Sequence, residues 1–153
     1  MDISHYTVIR DCDKGVFALF SPRAYHEDME QRLQKSRPYA FDFDGVIARY
    51  DGFQGKEVAN EPIPEVVLAI RQLKLLGHTI IIHSTRGNVF LRTYLTAHDI
   101  PFDYINENPN KMGDNPHKPI AYVYVDDRAI CYNGQSADEL VQQVLQFTPH
   151  WKK

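Results

Sequence analysis

From Pro38 onward the sequence alternates short apolar, β-branched or aromatic runs with segments of helical period. That alternation is the pattern of a parallel sheet covered by helices, and it restricts the chain to an α/β fold. The runs are Tyr39 to Phe43, Thr79 to His83, Phe102 to Ile105 and Ala121 to Val125, each read as a short strand buried in such a sheet. Between the first two, Val66, Ile70 and Leu73 recur at helical spacing behind Pro62 and Pro64, and Gly77 ends that helix. Leu91, Tyr94 and Leu95 mark one side of a second helix over Asn88 to His98. Ser136-Ala-Asp-Glu139 is a capping box that opens a last helix running through Phe147.

The first 37 residues read differently. Tyr6 to Arg10 and Val16 to Phe20 are expected to pair around Asp13-Lys14-Gly15, and a helix is expected from Ser21-Pro22. This segment is taken as an N-terminal extension packed on the sheet, with residues 38–148 as the catalytic core. At 153 residues and 43% hydrophobic content the chain fits a single domain over residues 1–153, burying roughly 70% of the surface its unfolded form exposes.

Composition excludes some classes of function. The formal charge is -3 and no Lys/Arg block stands out, so there is no electrostatic footprint of a general nucleic-acid binder. No apolar run is long enough to span a bilayer and no leader pattern opens the chain, so a cytoplasmic location is expected. Cys12 and Cys131 belong to no CxxC or Cys/His cluster, which fits ordinary thiols in a reducing compartment and gives no zinc signal.

Three of the four predicted strands end in polar residues suited to phosphoryl chemistry, at the sheet edge where open α/β folds bind ligands. Asp42 and Asp44 end the first strand one residue apart, before Gly45 permits a sharp turn. Asp126-Asp127 ends the fourth, and the two acidic pairs together form an oxygen-rich magnesium site. Ser84 or Thr85, after the second strand, offers a hydroxyl to a phosphoryl oxygen, and Lys118 or Lys111 offers a compensating charge. Asp11-Cys12-Asp13 also contains two acids one residue apart, but without apolar framing it reads as a hairpin turn. His83 and His117 flank the candidates without zinc-site spacing and read as packing or pocket lining.

The stretch Phe41-Asp-Phe-Asp-Gly-Val-Ile47 resembles the DxDG motif of the haloacid dehalogenase superfamily, and Ser84, Lys118 and Asp126-Asp127 follow in that superfamily's motif order. The resemblance covers about Tyr39 to Ile130. It implies a three-layer Rossmann-like fold and a magnesium-dependent phosphomonoesterase. Asp42 would be the nucleophile that forms an aspartyl-phosphate, and Asp44 the acid and base. It further implies that Asp42 binds the metal through its side chain, Asp44 through its backbone carbonyl, and Asp126 or Asp127 completes the shell, leaving the Asp44 side chain free. Ser84 is preferred to Thr85 as the hydroxyl, since it precedes Thr85-Arg86 as the family's variant pattern would. Lys118 is preferred to Lys111 because it lies just before the fourth strand. Thr85 and Arg86 are assigned to substrate.

Many relatives insert a cap domain after the first motif or before the Lys, and this chain has no room for one. About 18 residues separate Asp44 from the next predicted helix. An open site suits an extended or macromolecular phosphorylated substrate, with Tyr50 and Phe53 as candidate contacts; Arg49, Lys56, Asn106, Asn108 and Lys111 are further candidates, though ordinary loop solvation is the favoured reading of these five. Homo-oligomerisation is left open. Competing readings are a phosphotransferase of the same fold, a non-catalytic phosphate- or metal-binding module of receiver type, and a nucleotide-sugar transferase using DxD. The receiver reading is disfavoured because such domains put the acidic pair first, and the transferase leaves Ser84, Lys118 and Asp126-Asp127 without a role.

Overall fold

A computed structural model describes residues 7–11, 16–20, 36–110 and 118–152. The chain divides into two compact units, Met1–Lys35 with Tyr132–Gly134, and Ser36–Cys131 with Gln135–Lys153. In the first unit β1 (Thr7–Asp11) pairs antiparallel with β2 (Val16–Phe20), with Thr7 opposite Phe20 and Asp11 opposite Val16. This is the expected pairing. The expected turn residues and the helix from Ser21-Pro22 lie outside the described residues, as does Lys111.

In the second unit β3 (Pro38–Phe41), β4 (Thr79–Ile82), β5 (Tyr104–Ile105) and β6 (Val123–Val125) form one sheet in the order β5-β4-β3-β6, with every neighbouring pair parallel. Helices α1 (Pro64–Leu75), α2 (Asn88–Ala97) and α3 (Ala137–Gln146) complete the α/β arrangement, and a 3-10 turn over His150–Lys152 follows. Pro64 opens α1 at a position whose N–H has no helical partner to lose. Gly77, with φ +80, ends it in a conformation that costs other residues a Cβ clash. The Ser136–Glu139 capping box is formed in both directions: Glu139 N–H donates to Ser136 Oγ, and Ser136 N–H donates to the Glu139 carboxylate at 2.9 Å.

Side chains alternate across the sheet as strand geometry requires. Phe41, Ile80 and Ile82 join Ile70 of α1 and Leu91 and Leu95 of α2 in one apolar core, while Ala40 and Ile81, also buried, point to the opposite face. Both helices therefore cover the same face, as two successive right-handed crossovers in one direction demand. The chain then reverses, passing from β5 over to β6 on the other side of β3. This reversal creates a switch point between β3 and β6, where the crevice of an open α/β sheet forms.

Strand β6 departs from expectation, because Val123, Tyr124 and Val125 are each more than a third exposed. Among the described residues it pairs with β3 alone, at the edge of the sheet, and α3 has no buried residue. Among the described residues no helix is long and apolar enough to cross a membrane.

Candidate active site

The acidic turn after β3 is held by its apolar neighbours. Phe43, Ile47 and Ala48 are wholly buried, with Phe43 packed edge-on against Tyr94 at 4.9 Å. Backbone N–H groups of Ile47 and Ala48 both donate to the Phe43 carbonyl, closing the turn. Alternation with these anchors turns the Asp42 and Asp44 side chains outward. Gly45, at φ +84, is required here for two reasons: its backbone is left-handed, and an added Cβ would stand 2.6 Å from Asp127 Oδ2.

Asp42 N–H donates to the Val125 carbonyl at 2.9 Å, carrying the β3–β6 ladder one residue beyond the strand. The register delivers Asp42 beside Asp126-Asp127. Asp42, Asp126 and Asp127 each bring one carboxylate oxygen within 4.8 Å of the others. Asp126 Oδ1 accepts from the Arg128 N–H at 2.7 Å. The Asp127 side chain is wholly buried, and its Oδ1 has no hydrogen-bond partner among the described residues. Three hard oxygen donors, one of them buried and unsatisfied, form a group that could hold a metal ion.

Burial pushes the Asp42 carboxyl up to about 7, helped by repulsion from Asp126, Asp127 and Asp44 and opposed by the Phe43 N–H, which donates to Asp42 Oδ1 at 2.7 Å. An unfolded Asp releases its proton near 3.8, so between about pH 4 and 7 only the folded chain keeps it. The stability this confers is complete below that window and is lost as pH rises through it, roughly 2 kcal/mol after allowance for solvent screening. In chelator, the melting temperature of the parent relative to Asp42→Asn should therefore fall from pH 4 to pH 7.5. A difference that stays flat or rises would refute the assigned environment.

The Asp44 carboxylate stands apart from the cluster. Arg86 clasps it with a two-pronged bond, Nε to Oδ2 at 2.7 Å and a terminal nitrogen to Oδ1 at 2.8 Å, and its other terminal nitrogen donates to the carbonyls of Gly55 and Lys56. Sequence reasoning left the Asp44 side chain free and gave Arg86 to substrate; the structure pairs the two. The Arg86 side chain is only 7% exposed, and a guanidinium that buried needs a carboxylate beside it.

The turn after β4 is braced from β5. Asn106, at φ +59, accepts the Ser84 N–H on its side-chain oxygen at 2.8 Å and donates to the Asn88 side chain at 2.8 Å. Ser84 Oγ accepts the Arg86 N–H at 3.2 Å, leaving its hydroxyl hydrogen for another acceptor. Thr85 is exposed. Asn106, read from sequence as a solvated loop residue with a substrate contact as the alternative, is a brace between two turns and also borders the cavity.

These elements open on one cavity of about 1180 Å³, lined by Asp42, Asp44, Ser84, Thr85, Arg86 and Asp126 together with Tyr50, Phe53, Lys56, His83, Asn106 and Arg128. Lys118 is not in its wall; the ammonium stands over the Tyr124 ring, 5.1 Å from its centre. The sequence reading missed Arg128, whose signal was its place directly after Asp126-Asp127. It also missed His150 and Trp151. His150 Nε2 donates to the Gly45 carbonyl at 2.6 Å, and the Trp151 indole N–H donates to Asp127 Oδ2. No local motif marks these two.

No protein-family model matches the chain, and no curated protein matches it in sequence. Among solved structures, a conserved protein from Bacteroides thetaiotaomicron is similar at 22% identity, covering 73% of this chain and 91% of that one with a TM-score of 0.52. A crystal structure from Vibrio cholerae aligns at 18% identity over 72% of this chain and 98% of that one, with a TM-score of 0.42. The likeness to the Bacteroides protein is one of fold: the two share an α/β chain path over most of their lengths.

Proposed function

We propose that this chain is a magnesium-dependent phosphohydrolase of the haloacid dehalogenase type, acting on phosphate monoesters through an aspartyl-phosphate at Asp42. One observation carries the reading: three carboxylates converge at the sheet's switch point, and Ser84 opens onto the same cavity from the neighbouring strand. The donor set is all oxygen and suits a hard cation better than zinc. Asp42, Asp126 and Asp127 would hold Mg²⁺, which when bound neutralises negative charge on the phosphoryl group and its attacking carboxylate.

In the first step an Asp42 oxygen bonds to phosphorus while the bond from phosphorus to the leaving oxygen breaks, and that oxygen takes a proton from Asp44. In the second, Asp44 removes a proton from water, whose oxygen displaces the Asp42 carboxylate and releases phosphate. Asp44 is held in place at rest by Arg86. A phosphate dianion competes for the same guanidinium fork, and its arrival frees an Asp44 oxygen to take up a proton from solvent, the proton that Asp44 then gives to the leaving oxygen. Ser84 donates its hydroxyl hydrogen to a phosphoryl oxygen. Arg128 and Lys56 supply positive charge from the cavity wall; Lys118 serves that purpose only after leaving Tyr124.

Residues 45–63, between the acidic turn and α1, contain no helix and no strand longer than a single bridge, so no cap closes the cavity from that side. A cavity uncapped on that side suits an extended phosphorylated substrate. The test is inorganic phosphate release from a panel of phosphomonoesters, small and polymeric, with Mg²⁺ or with chelator. Release that needs Mg²⁺ is expected; equal release in chelator would overturn the metal-assisted mechanism.

A further inference from the structure

We propose that the C-terminal turn His150–Lys152 belongs to the metal centre, with Trp151 as the residue that positions Asp127 for a divalent cation. The inference rests on the reading of Asp42, Asp126 and Asp127 as a cation site. It adds a part that no motif supplies.

A carboxylate has two oxygens to satisfy. Asp127 Oδ2 accepts the Trp151 indole N–H and has Arg128 Nε at 3.8 Å, whereas Oδ1 is buried with no partner among the described residues. An oxygen left so in a wholly buried side chain is costly unless a ligand completes it. With Oδ2 committed to the indole, Oδ1 is the oxygen available to the cation. A single hydrogen bond from Trp151 therefore sets which way the carboxylate faces.

The turn carrying Trp151 is itself anchored on the acidic loop. His150 Nε2 donates to the Gly45 carbonyl at 2.6 Å, and the Trp151 ring meets Tyr50 edge-on at 4.8 Å. Arg128 lies over both rings, 5.5 Å from Trp151 and 5.7 Å from Tyr50. Gly45 leaves the space this needs, since its missing Cβ would stand 3.0 Å from Trp151 Cδ1 as well as against Asp127. Partners that orient a ligand in this way typically change metal affinity by about 10- to 100-fold when removed.

Trp151 is the sole tryptophan of the chain, so the intact protein carries its own reporter. Titrating the full chain with MgCl₂ should change its fluorescence, with a midpoint matching the calorimetric Kd, and Asp126→Asn should abolish the change. Trp151→Phe keeps a ring against Tyr50 but removes the N–H. It should weaken Mg²⁺ binding by calorimetry about tenfold or more in a chain that still melts cooperatively in chelator, at a temperature lowered by the bond lost to Asp127. If the parent binds Mg²⁺ and Trp151→Phe binds it within twofold, the positioning role fails and the cation site stands. Unchanged parent fluorescence at calorimetric saturation likewise overturns the positioning role alone. A parent that takes up no Mg²⁺ overturns both.

Discussion

Replacing Asp42 with Asn is expected to lower phosphate release by about 10⁴-fold or more while the protein still folds. An amide oxygen is a far poorer nucleophile toward phosphorus than a carboxylate, and the reaction as proposed has no second group able to take the phosphoryl. The fold does not depend on the charge. Asn keeps an oxygen to accept the Phe43 N–H, and its neighbours Asp126 and Asp127 lose a repulsive partner. Phosphate release and a thermal melt on the same sample check both halves. Full activity in a folded Asp42→Asn protein would end the proposal of an aspartyl-phosphate.

Removing Arg86 is expected to have the largest effect on stability. Arg86→Ala deletes the two-pronged bond to Asp44 and the donors to the Gly55 and Lys56 carbonyls, and it strips a cation from above the Phe90 ring, 5.1 Å away. It leaves a partly buried carboxylate without its partner, a loss of about 2–4 kcal/mol in a denaturant titration. Turnover should fall about 10²- to 10³-fold, because Asp44 and the phosphate both lose the guanidinium. Arg86→Lys should recover only part of either loss, since a single ammonium cannot replace the fork. If Arg86→Lys matches the parent in both stability and turnover, the fork has no special role.

The elements that position the site were legible in the sequence because their signals are local. The apolar runs read as Tyr39 to Phe43, Thr79 to His83 and Ala121 to Val125 hold strands that end at Phe41, Ile82 and Val125, and the polar residues at those ends stand at one sheet edge. The Ser136–Glu139 capping box and the Gly77 stop involve groups within one helical turn, so they read directly from the order of residues. Strand β5 is shorter than its apolar run suggested, Tyr104–Ile105 instead of Phe102–Ile105. The Asp103 side chain takes the Ile80 N–H there and pairs with Lys74, so a side-chain bond replaces one rung of ladder.

What the sequence by itself determined is the set of elements, their polar ends and the list of acids available to a cation. Only the tertiary structure decided how those acids are used. Asp42 meets Asp126 and Asp127 because β6 pairs with β3 and not with β5, a choice made by packing across the sheet. Asp44 belongs to Arg86, 42 residues away, and Asp127 to Trp151, 24 residues away. Such pairings follow from desolvation: a charge carried into the interior takes the nearest group that satisfies it, and which group is nearest is settled by the fold. Lys118, apt by sequence position, stands instead over an aromatic ring at the exposed edge.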